Sequence, residues 1–316
     1  MKDVVLGIDI GGTFTKFGLV DQDGEIYNEG IMPTDHHEDV SNFISELKSN
    51  VYNSLEENMF VIKGVGIGAP NGNYYTGRIE SAPNLPWKGV INLVSLFEKE
   101  FHLPVKVTND ANAAALGEML YGDARTMKNF IMITLGTGLG GGIVVNGKLV
   151  YGHDGFAGEL GHTIVDPNGR KCACGRKGCL ETYVSAPGIK RTVFNLLAKE
   201  TETSELIKYS FEELDSKTIS DAANRGDKIA LKAFDYTGKI LGLKLADAVA
   251  HTSPEAIFLF GGLSKAGELI FKPTKKYLDK YLLGIYSGKI KLLPSKLQDK
   301  NIAILGSAAL MWQELE

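Results

Sequence analysis

Residues 4–26, VVLGIDIGGTFTKFGLVDQDGEI, decide the fold once they are set beside residues 129–150, NFIMITLGTGLGGGIVVNGKLV. Each opens with a nearly continuous apolar run, the pattern of a strand buried on both faces. Each breaks at a glycine–threonine turn, Gly11-Gly12-Thr13 in the first and Gly136-Thr137-Gly138 in the second. Each resumes as a second strand, turns at a two-residue hairpin signal (Asp23-Gly24, Asn146-Gly147), and continues as a third. The same elements in the same order predict two related α/β domains.

The chain between and after these repeats fits that expectation. Residues 38–57 carry helical spacing, with Val40, Phe43, Ile44 and Leu47 three or four apart. A buried strand is expected at 61–70, a loop at 71–89, a short helix at 90–101 and a strand at 105–110. An Ala-rich helix at 111–120 should close at Gly122. A polar, helix-prone insert covers about 188–252. AIFLFGGLSKAG at 256–267 reads again as strand, Gly-Gly turn and helix start. The closing IAILGSAALMWQEL at 302–315 reads as a strand and a helix capped near Ser307. The expected division is 1–120 for the N-terminal domain and 121–302 for the C-terminal one, with the helix at about 303–316 returning to the first.

Composition narrows the function. A formal net charge of -4 argues against a nucleic-acid binder. The longest apolar runs are too short to span a bilayer, and no signal-peptide pattern precedes the first strand. A cytosolic (cytoplasmic) protein without membrane partners is expected. The three cysteines, Cys172, Cys174 and Cys179, fall within eight positions. In a reducing compartment such a cluster points to metal more than to a disulfide, and an odd number cannot pair completely.

Three glycine turns end strands: 11–13, 136–142 and 261–262. Glycine lets backbone amides approach an anion, and a threonine hydroxyl adds a donor. Gly11, Gly12, Thr13, Thr137 and Gly138 are therefore candidate phosphate contacts, and Lys16 is placed to bring a cation to the same phosphate. GTGLGGG contains G-x-G-x-x-G, but a strand follows it where a dinucleotide fold requires a helix. With DIGGTFTKFG, LGTGLGGG and LFGGLS in these positions, the chain resembles the actin-like ATPase and sugar-kinase superfamily. That resemblance implies two ribonuclease-H-like α/β domains with ATP in an interdomain cleft. It also implies Gly261 and Gly262 beside the adenosine and Asp9 holding hydrated Mg2+.

In VTNDANAAALGE, Asn109 and Asp110 fall where a strand ends and a helix begins. Both are favoured helix caps, and capping accounts for one of the two. A helix N-terminus should keep Asp110 ionised, and an ionised carboxylate can accept the proton of a sugar hydroxyl. The kinase resemblance implies that Asp110 is this catalytic base.

GELGHTIVDPNGRKCACGRKGCLE (158–181) sets His162 ahead of Cys172, Cys174 and Cys179. One imidazole and three thiolates make a closed tetrahedral zinc set, hence a structural Zn2+. Folding this loop on a metal would bring Glu159 and Glu181 together, and carboxylates accept hydrogen bonds well from sugar hydroxyls. E-x-x-G-H followed by C-x-C-G-x-x-G-C-x-E closely resembles the signature of the ROK family (repressors, open reading frames, kinases). The family implies sugar contacts from Asn84, Asn109, Asp110, Glu159, His162 and Glu181, and a homodimer or homotetramer. One departure is visible: GAPNG carries Asn71 where many members have glycine after the proline. The expected activity is ATP-dependent phosphorylation of the 6-hydroxyl of glucose or a relative such as N-acetylglucosamine. The rivals are an N-acetylmannosamine kinase, a fructokinase and a sugar-sensing repressor. The first strand is expected by residue 4, which is read as leaving no room for a repressor's helix-turn-helix.

Overall fold

The first apolar run forms β1 (Lys2–Ile10), buried from Val4 to Ile8. The glycine turn returns the chain as β2 (Phe14–Val20), antiparallel to β1, with Asp9 directly opposite Lys16. β3 (Ile26–Pro33) pairs antiparallel with β2. α1 (Val40–Asn53) buries Phe43, Ile44, Leu47 and Val51 along one stripe, the periodicity of an amphipathic helix. The computed structural model describes residues 1–53, 59–82 and 84–316, so residues 54–57 of the expected helix lie outside the described residues.

β4 (Phe60–Gly68) runs parallel to β1. A small antiparallel sheet of β5 (Gly72–Asn73), β6 (Arg78–Glu80) and β7 (Val90–Ile91) follows. The helix expected from residue 90 therefore starts later, as α2 (Leu93–Phe101), because Val90 and Ile91 pair with β6. β8 (Val105–Thr108) completes a sheet of order β3-β2-β1-β4-β8, and α3 (Asp110–Tyr121) leaves its end. Phe43, Phe97, Ile8 and Ile67 fill one core with this sheet. Burying each such side chain contributes roughly 1.5–3 kcal/mol.

The second repeat forms β9 (Phe130–Leu135), β10 (Leu139–Val145) and β11 (Lys148–Leu149). α4 (Ala186–Leu197), α5 (Ser216–Asn224) and α6 (Lys228–Thr252) follow. Next come β12 (Ala256–Phe260), α7 (Glu268–Tyr281) and β13 (Lys291–Pro294). The sheet order, β11-β10-β9-β12-β13, repeats that of the first sheet. In both sheets the fourth and fifth strands run parallel to the first. This duplicated topology is the ribonuclease-H-like plan that the resemblance implied. The stretch read as a polar insert is the second unit's helical layer. Leu241, Leu245 and Val249 of α6 share a core with Ile131, Ile133, Ile257 and Leu259 of the strands.

The last stretch departs from expectation. It is helical throughout, as α8 (Ile302–Leu315), where a strand was expected at its start. Ser307 lies inside it and donates its hydroxyl to the Ala303 carbonyl at 2.8 Å instead of capping. The helix is buried almost all round, so its sequence lacks the polar face that would have marked it as helical. It packs on β1 and β4 at very close range: a Cβ on Gly66 would lie 1.8 Å from the Ser307 carbonyl oxygen.

The chain divides into two units. The first is Met1–Met127, Gly142–Gly158 and Lys296–Glu316; the second is Lys128–Gly141 and Glu159–Ser295. No described helix is long and apolar enough to cross a membrane.

Candidate active site

In the first unit, the parallel strands β1, β4 and β8 deliver their carboxyl ends to one edge, the usual location of ligand sites in such sheets. Asp9 and Lys16 face each other across β1 and β2. Burial, then the negative charge of Asp110, pushes the Asp9 carboxyl up to about 6, while Lys16 works in the opposite direction. The turn itself is closed by the Gly11 N–H donating to the Phe14 carbonyl at 3.0 Å. Gly12 is required by space: a Cβ there would sit 2.5 Å from the carbonyl oxygen of Asn84. That contact brings the sequence-predicted phosphate turn and the predicted sugar contact Asn84 together. Thr13, Lys16 and Asn84 are exposed.

The Asn109–Asp110 pair separates into two roles. Asn109 is the N-cap of α3, its Oδ1 accepting the Asn112 N–H at 2.7 Å. Asp110 is the first helical residue and is free of that duty. As a residue it is exposed to solvent. Protein around it raises its carboxyl above the usual range by burial, against the backbone N–H of Ala111 donating to Oδ1 at 2.8 Å. The helix terminus and loss of hydration act on Asp110 in opposite directions, and the carboxyl lies above the usual range. The departure at Asn71 keeps the turn geometry. Asn71 adopts φ 53°, a left-handed conformation that asparagine tolerates, and donates Nδ2 to the Glu80 carbonyl at 2.9 Å.

In the second unit, the Gly136–Gly138 turn is closed by the Gly136 N–H donating to the Gly138 carbonyl at 3.0 Å. Thr137 is exposed at its tip. Gly261 follows β12 at φ 103°, and a Cβ there would lie 2.6 Å from the Leu135 carbonyl oxygen, so only glycine fits. Gly262 meets nothing within 4 Å of where its Cβ would be.

The four metal-ligand candidates converge. One donor atom each from His162, Cys172, Cys174 and Cys179 lies within 4.8 Å of all the others. Cys174 and Cys179 Sγ are 3.6 Å apart, and His162 Nδ1 is 3.8 Å from Cys172 Sγ. Tetrahedral zinc, with its bond lengths to sulfur and nitrogen, requires ligand separations of about 3.5–3.8 Å. The loop closes through the Cys172 N–H donating to the Arg176 carbonyl at 2.9 Å and the Gly175 N–H donating to the Cys172 carbonyl at 3.1 Å. Burial opposes ionisation of Cys174, but hydrogen bonds from Arg176 and the neighbouring thiols bring it down to about 6. Burial and the two other thiols push Cys179 up to about 12. The opposite imidazole nitrogen, His162 Nε2, is 3.9 Å from Glu159 Oε2. Nδ1 thus faces the thiols, and Nε2 faces the carboxylate.

Glu181 is more engaged than a solvated loop charge. Its Oε2 accepts the Leu139 N–H at 3.0 Å, and Cys172 Sγ approaches its Oε1 at 3.9 Å. Sequence reasoning did not foresee the Leu139 contact, nor Arg170. That arginine ties the cysteine loop to α4, donating to the carbonyls of Thr182 and Gly188 at 2.8 and 2.9 Å. No local pattern signals either contact.

The sequence pattern of the ROK family matches residues 5–314. A glucokinase of Halalkalibacterium halodurans is 37% identical over 88% of this chain and 86% of its own length. A glucokinase of Thermotoga maritima is 35% identical over 98% of both. The crystal structure of a ROK family glucokinase from Streptomyces griseus in complex with glucose and AMPPNP superposes with a TM-score of 0.82. It is 34% identical, covering 98% of this chain and 99% of that one.

Proposed function

The chain belongs to the ROK family, and from that membership we propose that it is an ATP-dependent hexose kinase acting on the 6-hydroxyl of glucose or a close relative such as N-acetylglucosamine. The observation that carries the reading is the split at 109–110: Asn109 takes the helix cap and leaves Asp110 to the substrate. Asp110 accepts the proton of the attacking hydroxyl as the oxygen bonds to the γ-phosphorus of ATP, and ADP leaves. Its raised affinity for a proton makes it a better base than an ordinary carboxylate.

Asn109 meets the sugar through Nδ2, because its Oδ1 is committed to the helix. Asn84, Glu159, His162 Nε2 and Glu181 supply the remaining sugar contacts. Gly11, Gly12, Thr13, Lys16, Thr137 and Gly138 cradle phosphates, and Gly261 and Gly262 border the adenosine. The negative charge of Asp110 acts on Asp9, and the family resemblance implies that Asp9 holds hydrated Mg2+. Mg2+ held through Asp9 would neutralise charge on the transferring group. The donor set of one imidazole and three thiols, within 4.8 Å of one another and with two pairs at 3.6 and 3.8 Å, fits Zn2+. Zn2+ there would be structural, since four protein ligands leave no open position. We place the protein in the cytoplasm, and family resemblance points to a homodimer or homotetramer.

The test is a panel of glucose, N-acetylglucosamine, N-acetylmannosamine and fructose in a coupled ADP-release assay. Glucose should give the highest kcat/KM. A clear preference for N-acetylmannosamine or fructose would replace the sugar, and no turnover with any of them would refute the kinase reading.

A further inference from the structure

We propose that the cysteine loop sets the shape of the second phosphate turn, with Glu181 as the positioning residue that transmits it. This inference rests on the proposed role of residues 136–138 in holding ATP phosphates.

Two contacts from the loop meet at Leu139, and each lies beside a metal-ligand candidate. Glu181 follows Cys179 by two residues, and its Oε2 accepts the Leu139 N–H at 3.0 Å. Gly161 immediately precedes His162, and a Cβ on it would lie 2.1 Å from the Leu139 carbonyl oxygen. The peptide groups on both sides of Leu139 are thus gripped by residues next to the first and last ligands in the chain. Gly138 is part of the same grip, since a Cβ there would lie 2.5 Å from Glu181 Oε2. A third tie comes from the start of α4, where the Ala186 N–H donates to the Gly136 carbonyl at 2.9 Å. Its neighbour Ser185 donates its hydroxyl to the Glu181 carbonyl at 2.7 Å.

These bonds also sort the donors of the turn. The Gly136 N–H goes to Gly138, the Leu139 N–H to Glu181 and the Gly140 N–H to Thr134 Oγ1 at 3.2 Å. Thr137 and Gly138 are left to donate to a phosphate. The Glu181 carboxylate is tied to the Leu139 amide and leaves the Thr137 and Gly138 amides to the anion. Placement of such donors within a fraction of an ångström governs anion affinity.

The test separates reach from charge. Glu181→Asp keeps the charge but withdraws the acceptor by one methylene. Glu181→Gln keeps the reach and an oxygen acceptor but removes the charge. Binding of Mg2+·AMPPNP without sugar, and of glucose without nucleotide, is measured by calorimetry on the full-length protein, with zinc content checked for each variant. Glu181→Asp should weaken AMPPNP about tenfold, the scale of one hydrogen bond to a charged group. Glu181→Gln should stay within about threefold of wild type for AMPPNP, while both variants weaken glucose. Equal AMPPNP affinity in the two variants, or a larger loss in Glu181→Gln, overturns the proposal. A wild-type protein that binds no AMPPNP overturns the kinase reading and this inference with it, and does so before any substitution is made.

Discussion

The two glycine turns occupy the same place in two sheets of the same strand order, yet they obtain their charge by different routes. In the first unit the charge is built into the hairpin. Asp9 lies two residues before Gly11, and Lys16 stands opposite it on β2. In the second unit, Thr134 stands two residues before Gly136, and its Oγ1 accepts the Gly140 N–H at 3.2 Å. That hairpin is neutral, and its acid comes from outside the repeat, from Glu181 at the end of the cysteine loop. A duplicated scaffold fixes where backbone amides can gather, while the charges around them are supplied separately.

The largest effect should come from the first unit. Asp110→Asn should lower kcat about 10³-fold, as expected for removal of a general base, with AMPPNP affinity in calorimetry near wild type. A folded Asp110→Asn protein with near-normal turnover would remove the chemical asymmetry between the units.

Next is the loop. Cys179→Ser should lose its metal, measured as zinc per chain, and weaken glucose at least about tenfold. Full sugar affinity in a metal-free variant would detach the cluster from function.

A smaller and graded effect is the pH dependence. Burial and Asp110 push the Asp9 carboxyl up to about 6, and the base Asp110 is raised as well, so kcat/KM should fall as pH drops through about 6. A profile flat down to the ordinary carboxylate range would contradict this.

The smallest effect is on stability, and its sign is opposite. A carboxyl whose folded pKa is raised binds its proton more tightly in the fold than in the unfolded chain. Its contribution therefore destabilises the protein as pH rises through the range from 3.8 to about 6. Asp9→Asn should stabilise the Mg2+-free protein at neutral pH by on the order of 1–2 kcal/mol, read as a higher Tm, while impairing activity. A lower Tm would show that the charge of Lys16 outweighs burial.

Much of this was legible in the sequence because strands, hairpin turns and the E-x-x-G-H and cysteine motifs are local signals. The four metal-ligand candidates, 162 to 179, lie in one loop, so their convergence could be anticipated. What escaped was tertiary. α8 is buried on nearly every side, so Ile302–Leu305 carries no helical period and reads as a strand. The helix end at Asp110 is a local signal, whereas the surroundings that raise its carboxyl come from residues distant in sequence. The Glu181–Leu139 bond spans 42 residues, and no spacing rule reaches that far. Asn71 looked like a weakness in the sugar loop, and its positive φ shows that asparagine serves the turn as glycine would.

The central claim is transfer of the γ-phosphoryl group of ATP to the 6-hydroxyl of glucose. NMR identification of the product formed by the full-length protein with ATP, Mg2+ and glucose tests it most directly. The account predicts glucose 6-phosphate in one-to-one yield with ADP. ADP accumulating without a sugar phosphate, or phosphate on another hydroxyl, would contradict it.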